Sequence, residues 1–139
     1  MPALTRWFIK TALVYFVAAL VLGVALAAPA AFAVTPTMAL LGPAYFHLFM
    51  VGWITQLIVG VVYWMFPRYS KEKPRGSETL AVATYMLMNV GLVLRVISEP
   101  VHALRPDLGW GWLVVLSAVL QWLAGMAFIF NTWARIKEK

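Results

Sequence analysis

The 139-residue chain contains no cysteine, and charged residues make up only 12% of it. Without cysteine it can form neither a disulfide nor a thiolate metal site, and it has no thiol nucleophile. No alternation of apolar and polar residues predicts a half-buried strand. The chain also lacks a glycine-rich phosphate loop, paired carboxylates and a His-x-x-x-His metal pair. No complete catalytic constellation can be assigned, so enzyme activity stays an open question.

Apolar residues dominate what is present, at 63% of the chain. Soluble domains are about half apolar and about a quarter charged, so this excess requires a lipid bilayer. Four segments reach the length of about 20 apolar residues that a membrane-spanning helix needs. They lie at about 7–28, 44–66, 79–99 and 110–133. We therefore predict an all-α membrane protein whose residues 1–139 form a single bundle of four transmembrane helices.

The positive charges indicate the orientation of these spans. They cluster before the first span, between the second and third, and after the fourth: Arg6 and Lys10; Arg68, Lys71, Lys73 and Arg75; Arg135, Lys137 and Lys139. Short loops rich in Lys and Arg stay on the cytoplasmic side of a membrane. We expect both termini in the cytoplasm and a multi-pass protein of the bacterial inner membrane. The same clustering explains the net charge of +6 without a nucleic-acid partner.

Residues 1–33 also resemble a secretory signal, because a basic start and an apolar run precede Ala31-Phe32-Ala33. A signal peptide has an apolar core of about 7 to 15 residues, and the run here is longer. We therefore expect the first span to be an uncleaved membrane anchor.

His47 lies about one turn into the second span. Its face at α-helical spacing continues through apolar residues, which are Val51, Ile54, Ile58, Val61 and Met65. A neutral imidazole on an apolar stripe suits an axial heme ligand, because its nitrogen binds iron and the stripe can pack on a porphyrin. The structural alternative is a histidine hydrogen-bonded to a neighbouring helix. Spacing alone leaves both interpretations open.

A stripe of mostly polar residues runs along the third span at spacings of three and four. They are Thr84, Met88, Gly91, Arg95, Ser98, Glu99 and His102, with Met88 and Gly91 as the apolar members. Arg95 either pairs with Glu99 at i+4 or holds an anionic group such as a heme propionate. His102, beyond Pro100, is either a solvated loop residue or a second ligand on the same side of the membrane as His47.

Two spans carry small and polar residues four positions apart. These are Gly52, Gln56 and Gly60 in the second span and Ser117, Gln121 and Gly125 in the fourth. Glycines allow another backbone to approach closely, and side-chain amides can form hydrogen bonds across the contact. Both faces therefore predict helix packing.

The stretch from Phe46-His47-Leu48 through Gly52-Trp53 to Gly60, followed by Met65-Phe66-Pro67-Arg68, resembles the second helix of subunit I in the heme-copper oxidase superfamily. In that family the helix starts on the outer side with a histidine that ligates the low-spin heme. The twelve-helix core consists of three four-helix units, and this chain is similar to one such unit. The other three spans match it only in length and topology.

This resemblance implies heme b bound by His47, with Arg95 near the propionates. The copper ligands, the active-site heme ligand and the family's second histidine are absent, so reduction of oxygen or nitric oxide is not implied. The second axial ligand could be His102, His47 of another protomer in a dimer or trimer, or a residue of a partner protein. The fourth alternative is that this position has no protein ligand. A copper site is not expected, because two histidines are a poor ligand set.

Three functions remain open at this point. The first is a b-type heme protein for electron transfer, with a respiratory-chain redox partner, or for binding of a small gas. The second is a non-catalytic subunit or assembly partner of an oxidase-type complex without its own cofactor. The third is a small transporter or channel that uses Arg95 and Glu99. The third is the weakest, because the first span lacks the acidic residue that proton-driven transport usually needs.

Overall fold

The computed structural model describes residues 1–27, 36–72 and 74–136, and these are helical with no strand among them. The α-helices are α1 (Ala3–Ala27), α2 (Gly42–His47), α3 (Gln56–Met65), α4 (Glu78–Leu104) and α5 (Gly111–Trp133). A π-helix (Leu48–Thr55) joins α2 to α3, and short 3-10 helices cover Pro36–Leu41 and Pro106–Leu108. The segment Ala31-Phe32-Ala33 lies outside the described residues.

Four of these stretches are long and apolar enough to cross a membrane, as the sequence predicts. They are Ala3–Ala27, Ala39–Met65, Glu78–Leu104 and Gly111–Trp133. Each lacks the water-facing polar side of a soluble helix, and large apolar side chains remain exposed along all four. This pattern is typical of helices solvated by lipid. The all-α, multi-pass architecture is therefore supported.

The third span is longer than predicted. Ser77 caps its first turn by accepting a hydrogen bond from the Leu80 backbone N–H at 3.3 Å. At the other end α4 continues past Pro100, and the Arg105 N–H closes the last turn on the Val101 carbonyl at 2.8 Å. Proline removes one backbone donor but does not always end a helix. His102 consequently lies in the last turn of α4 and not in a loop.

The second span contains a feature that its sequence does not predict, the eight-residue π-helix Leu48–Thr55. The Thr55 hydroxyl donates to the Met50 carbonyl, five residues back, at 2.8 Å. Bonds from i to i+5 put more residues in each turn, so the face expected to run from His47 along the whole span is interrupted here. Ile58 and Met65, further along that face, are exposed.

The predicted packing face of the second span lies against α1. A Cβ atom added to Gly60 would lie 2.7 Å from Phe8 Cβ, and one added to Gly52 would lie 2.8 Å from Tyr15 Cβ. Gln56, between the two glycines, is fully buried. The prediction of close helix packing on this face is confirmed, whereas the Gln56 amide has no hydrogen-bond partner among the described residues, so the expected bond across the contact is not formed.

Helices α4 and α5 form the other closely packed pair. A Cβ on Gly91 would lie 3.0 Å from Gln121 Cγ and 3.1 Å from the Ser117 carbonyl oxygen, and Ser117 is buried. In the part of the chain that the structure describes, nothing lies within 4 Å of a Cβ on Gly125. The predicted face of the fourth span therefore packs at Ser117 and Gln121, whereas its extension to Gly125 was wrong.

Candidate functional site

His47 is the last residue of α2, one turn after the Gly42-Pro43 pair that starts the helix. Its Nδ1 atom lies 2.8 Å from the Pro43 carbonyl oxygen and 3.6 Å from Oε2 of Glu99 on α4. We call His47, Arg95, Glu99 and His102, together with the turns that carry them, the histidine end of the bundle. The structure thus brings the second-span histidine to the polar stripe of the third span.

The two neighbours of Nδ1 determine which ring nitrogen carries the proton. A carbonyl oxygen and a carboxylate oxygen can only accept hydrogen bonds, so Nδ1 is the donor toward Pro43. In the neutral imidazole Nε2 then holds the free lone pair. Histidines that bind metals almost always have this arrangement, in which the other ring N–H is held by a carbonyl or carboxylate. The donor chemistry of His47 therefore fits a metal bond from Nε2.

Arg95 and Glu99 form the ion pair that their i, i+4 spacing predicted. Arg95 Nε and Nη2 each donate to a different Glu99 carboxylate oxygen at 3.2 Å, and Nη1 donates to the Val114 carbonyl at 3.3 Å. The two side chains are about one-fifth exposed. A two-pronged pair of this kind offsets the desolvation of both charges. The contact of Arg95 with a heme propionate stays a prediction.

His102 lies three residues after Glu99 in the last turn of α4. Its side chain is exposed and contacts the start of α5, where a Cβ on Gly111 would lie 3.3 Å from His102 Cε1. His47 instead faces Pro43 and Glu99. Within residues 1–27, 36–72 and 74–136, no group of three or more His, Asp or Glu side chains is arranged to hold a metal ion. The role of His102 as a second ligand stays a prediction.

Apolar side chains surround His47 on the outer surface of the bundle. Its own side chain is 21% exposed, while Phe46 is 58% and Met50 is 38% exposed. The Phe46 ring is edge-on to the imidazole, with 6.1 Å between the ring centres. His47 therefore lies at the edge of a lipid-facing surface, where a flat apolar group could approach it.

Sequence reasoning missed the role of Arg135, which it used only as an orientation charge. The residue is 1% exposed, and it donates hydrogen bonds to the carbonyl oxygens of Tyr63, Phe66 and Pro67 at 2.9 to 3.2 Å. Cations that bind the last carbonyls of a helix also interact favourably with its dipole. Arg135 thus closes the C-terminal end of α3. The only sequence signal for this was its proximity to the end of the fourth span.

Comparison with protein-family models, with curated proteins and with solved structures gives no match for this chain. The resemblance of its second span to heme-copper oxidase subunit I therefore rests on the residue pattern alone.

Proposed function

We propose that this chain is a multi-pass membrane protein that binds b-type heme, with His47 Nε2 as an axial ligand of the iron. The observation that carries the proposal is the pair of acceptors around His47 Nδ1, the Pro43 carbonyl and the Glu99 carboxylate. The hydrogen bond to Pro43 orients the ring, the carboxylate lies 3.6 Å from the same nitrogen, and Nε2 is left as the free electron-pair donor. The Arg and Lys clusters favour cytoplasmic termini in a bacterial inner membrane, with heme in the outer leaflet.

The second axial position is best supplied by a second copy of the chain. His102 contacts Gly111, whereas His47 lies beside the exposed side chains of Phe46 and Met50. A homo-oligomer, as a dimer or trimer, would cover this surface and offer His47 of another protomer. Bound heme would supply a reversible one-electron couple with two histidine ligands, or a gas-binding position with one.

Arg95 and Glu99 would serve the site by orientation and charge. Glu99 places a carboxylate oxygen 3.6 Å from His47 Nδ1, and Arg95 holds Glu99 in place through two hydrogen bonds. Those bonds and the one to Val114 use three of the five guanidinium N–H groups. The other two are the donors that a propionate would need.

The test is visible absorption of the detergent-purified protein, oxidised and dithionite-reduced, after reconstitution with hemin. We expect a Soret band and a sharp reduced α-band in the wild type and in Thr55→Ala, a matched change in the same span. Both bands should disappear in His47→Ala. Glu99→Gln, which keeps an acceptor near Nδ1 but removes the charge, should bind heme roughly tenfold more weakly.

His102→Ala separates the sources of the second ligand. A shift to a high-spin spectrum would identify His102, and an unchanged spectrum would favour His47 of another protomer. A wild type that stays colourless with hemin would overturn the proposal. It would leave His47 as a structural residue and favour the subunit or assembly partner without a cofactor.

A further inference from the structure

A second polar site lies at the opposite end of the bundle, where the second span ends and α4 begins. A cavity of about 350 Å³ there is lined by the three arginines Arg68, Arg75 and Arg135 and, on its apolar side, by Trp64 and Met65. We call it the arginine pocket. A water molecule's share of liquid volume is about 30 Å³, so the pocket has room for a phosphate group with several waters.

The positive charge of Arg135 is not balanced by the groups that satisfy its hydrogen bonds. Its three acceptors are neutral carbonyls, and within residues 1–27, 36–72 and 74–136 its Nη1 has no acceptor at all. Burial lowers the pKa of Arg135; Tyr63 raises it, and the charge of Arg75 lowers it further. Three arginine residues therefore line a partly enclosed space in which an anion would lower the electrostatic energy.

We propose that the arginine pocket binds a phosphate oxyanion. Arginine is the residue best suited to this ligand, because its fork of N–H groups matches the spacing of phosphate oxygens. Two sources carry this chemistry, the headgroup of an anionic phospholipid and free phosphate.

The apolar side of the pocket favours the lipid. Trp64 is 46% exposed and Met65 is 67% exposed, and both belong to the last turn of a spanning helix. Tryptophan is enriched at the level of the headgroups. A phospholipid would place its phosphate among the guanidinium groups and its glycerol and acyl chains along these two residues. Basic pockets between spanning helices on the cytoplasmic side bind anionic headgroups in this way.

The test uses Arg68→Gln and Arg75→Gln, because neither residue has a part in closing α3. Lys71→Gln is the matched control, since it removes one charge from the same loop at an exposed residue outside the pocket lining. The full chain would be titrated with phosphatidylglycerol, with phosphatidylcholine and with inorganic phosphate, and native mass spectrometry would measure the binding of each. Circular dichroism identifies the variants that fold. If only one of the two arginine variants folds, that variant is sufficient for the test.

We expect phosphatidylglycerol to bind more tightly than phosphatidylcholine, and each arginine variant to lose about tenfold in that affinity. Lys71→Gln should lose far less. Binding of inorganic phosphate with the same dependence on Arg68 or Arg75 would support the anion site and assign it to a soluble ligand. Equal losses in Lys71→Gln and the arginine variants, or no preference for phosphatidylglycerol with no phosphate binding, would overturn the proposal.

Discussion

The two ends of the bundle both bury an arginine, but they balance its charge differently. At the histidine end Arg95 is paired with a carboxylate, Glu99, which in turn lies 3.6 Å from His47. At the arginine pocket, the acceptors of Arg135 among the described residues are carbonyl oxygens, and a second arginine, Arg75, lies nearby. Charges that neutralise each other can position a third group, whereas an unbalanced charge attracts an anion from outside. In the two proposals, Arg95 therefore helps to orient a ligand through Glu99, whereas Arg135 recognises an anion directly.

The largest effect should come from removing one partner of the balanced pair. Glu99→Leu leaves the Arg95 guanidinium half-buried without a counter-ion, and we expect a loss of about 3 kcal/mol in the free energy of unfolding. The double variant Arg95→Leu/Glu99→Leu should recover most of this loss. Chemical denaturation in detergent measures both. A double variant as unstable as Glu99→Leu alone would show that the charges of Arg95 and Glu99 do not balance each other.

The next effect concerns the middle of the bundle, which lies between the two ends. A Cβ at Gly52 meets both Tyr15 and Leu92 below 3.0 Å, so Gly52→Ala should cost about 2 kcal/mol through overpacking. Gly125→Ala is the control, because its Cβ would have no neighbour within 4 Å among the described residues, and it should stabilise the helix by about 0.5 kcal/mol. We expect Gly52→Ala to weaken heme binding and to leave the binding of phosphatidylglycerol unchanged. An equal loss of heme binding and of phosphatidylglycerol binding would show that the two ends are coupled.

Arg135→Gln should have a smaller effect on stability, about 1 kcal/mol in thermal or chemical unfolding. The variant loses hydrogen bonds to the end of α3, but it also removes a buried charge whose desolvation opposes folding. Arg135→Lys, which keeps the charge with fewer donors, is the comparison. If Arg135→Gln lowered the free energy of unfolding as much as Glu99→Leu does, Arg135 would already be paired with an anion. The two ends would then not differ in how they balance charge.

The smallest effect is expected for the exposed pair Arg105–Asp107, whose guanidinium and carboxylate are joined by hydrogen bonds of 2.9 and 3.0 Å. The hydrogen bond from Arg105 lowers the pKa of Asp107 below its ordinary value of 3.8. The pair's contribution to stability is therefore present above pH 3.8 and is lost as the pH falls through the lowered pKa. Melting temperatures of the wild type and Asp107→Asn should differ slightly at neutral pH and converge in acid. A constant difference would assign the effect to packing.

The spans and the Arg95–Glu99 pair could be predicted from the sequence because each depends on local spacing. Membrane helices need long apolar runs, and residues at i and i+4 on a helix are neighbours. The sequence placed His47 and His102 on the same side of the membrane, but it did not predict that His47 lies near Glu99, because this needs the second and third spans to pack with these turns at one level. Hydropathy gives the level of a residue in the membrane but not its neighbour.

Two features could not be predicted. The π-helix differs from an α-helix by a shift of one residue in its hydrogen-bond partners, and no residue in Leu48–Thr55 requires it. The role of Arg135 depends on carbonyls that are 68 to 72 residues away in the chain. A backbone acceptor has no sequence signature. Its partner can therefore be found only after the helices are placed.

The bond from Arg135 to Pro67 also has a consequence for the timing of synthesis. The carbonyls that end α3 leave the ribosome 68 residues before the arginine that closes them. At about 5 to 20 residues per second, this interval lasts roughly 3 to 14 seconds. During that time water or lipid headgroups must bind the free carbonyls at the end of the second span, which is completed only after the fourth span has been synthesised.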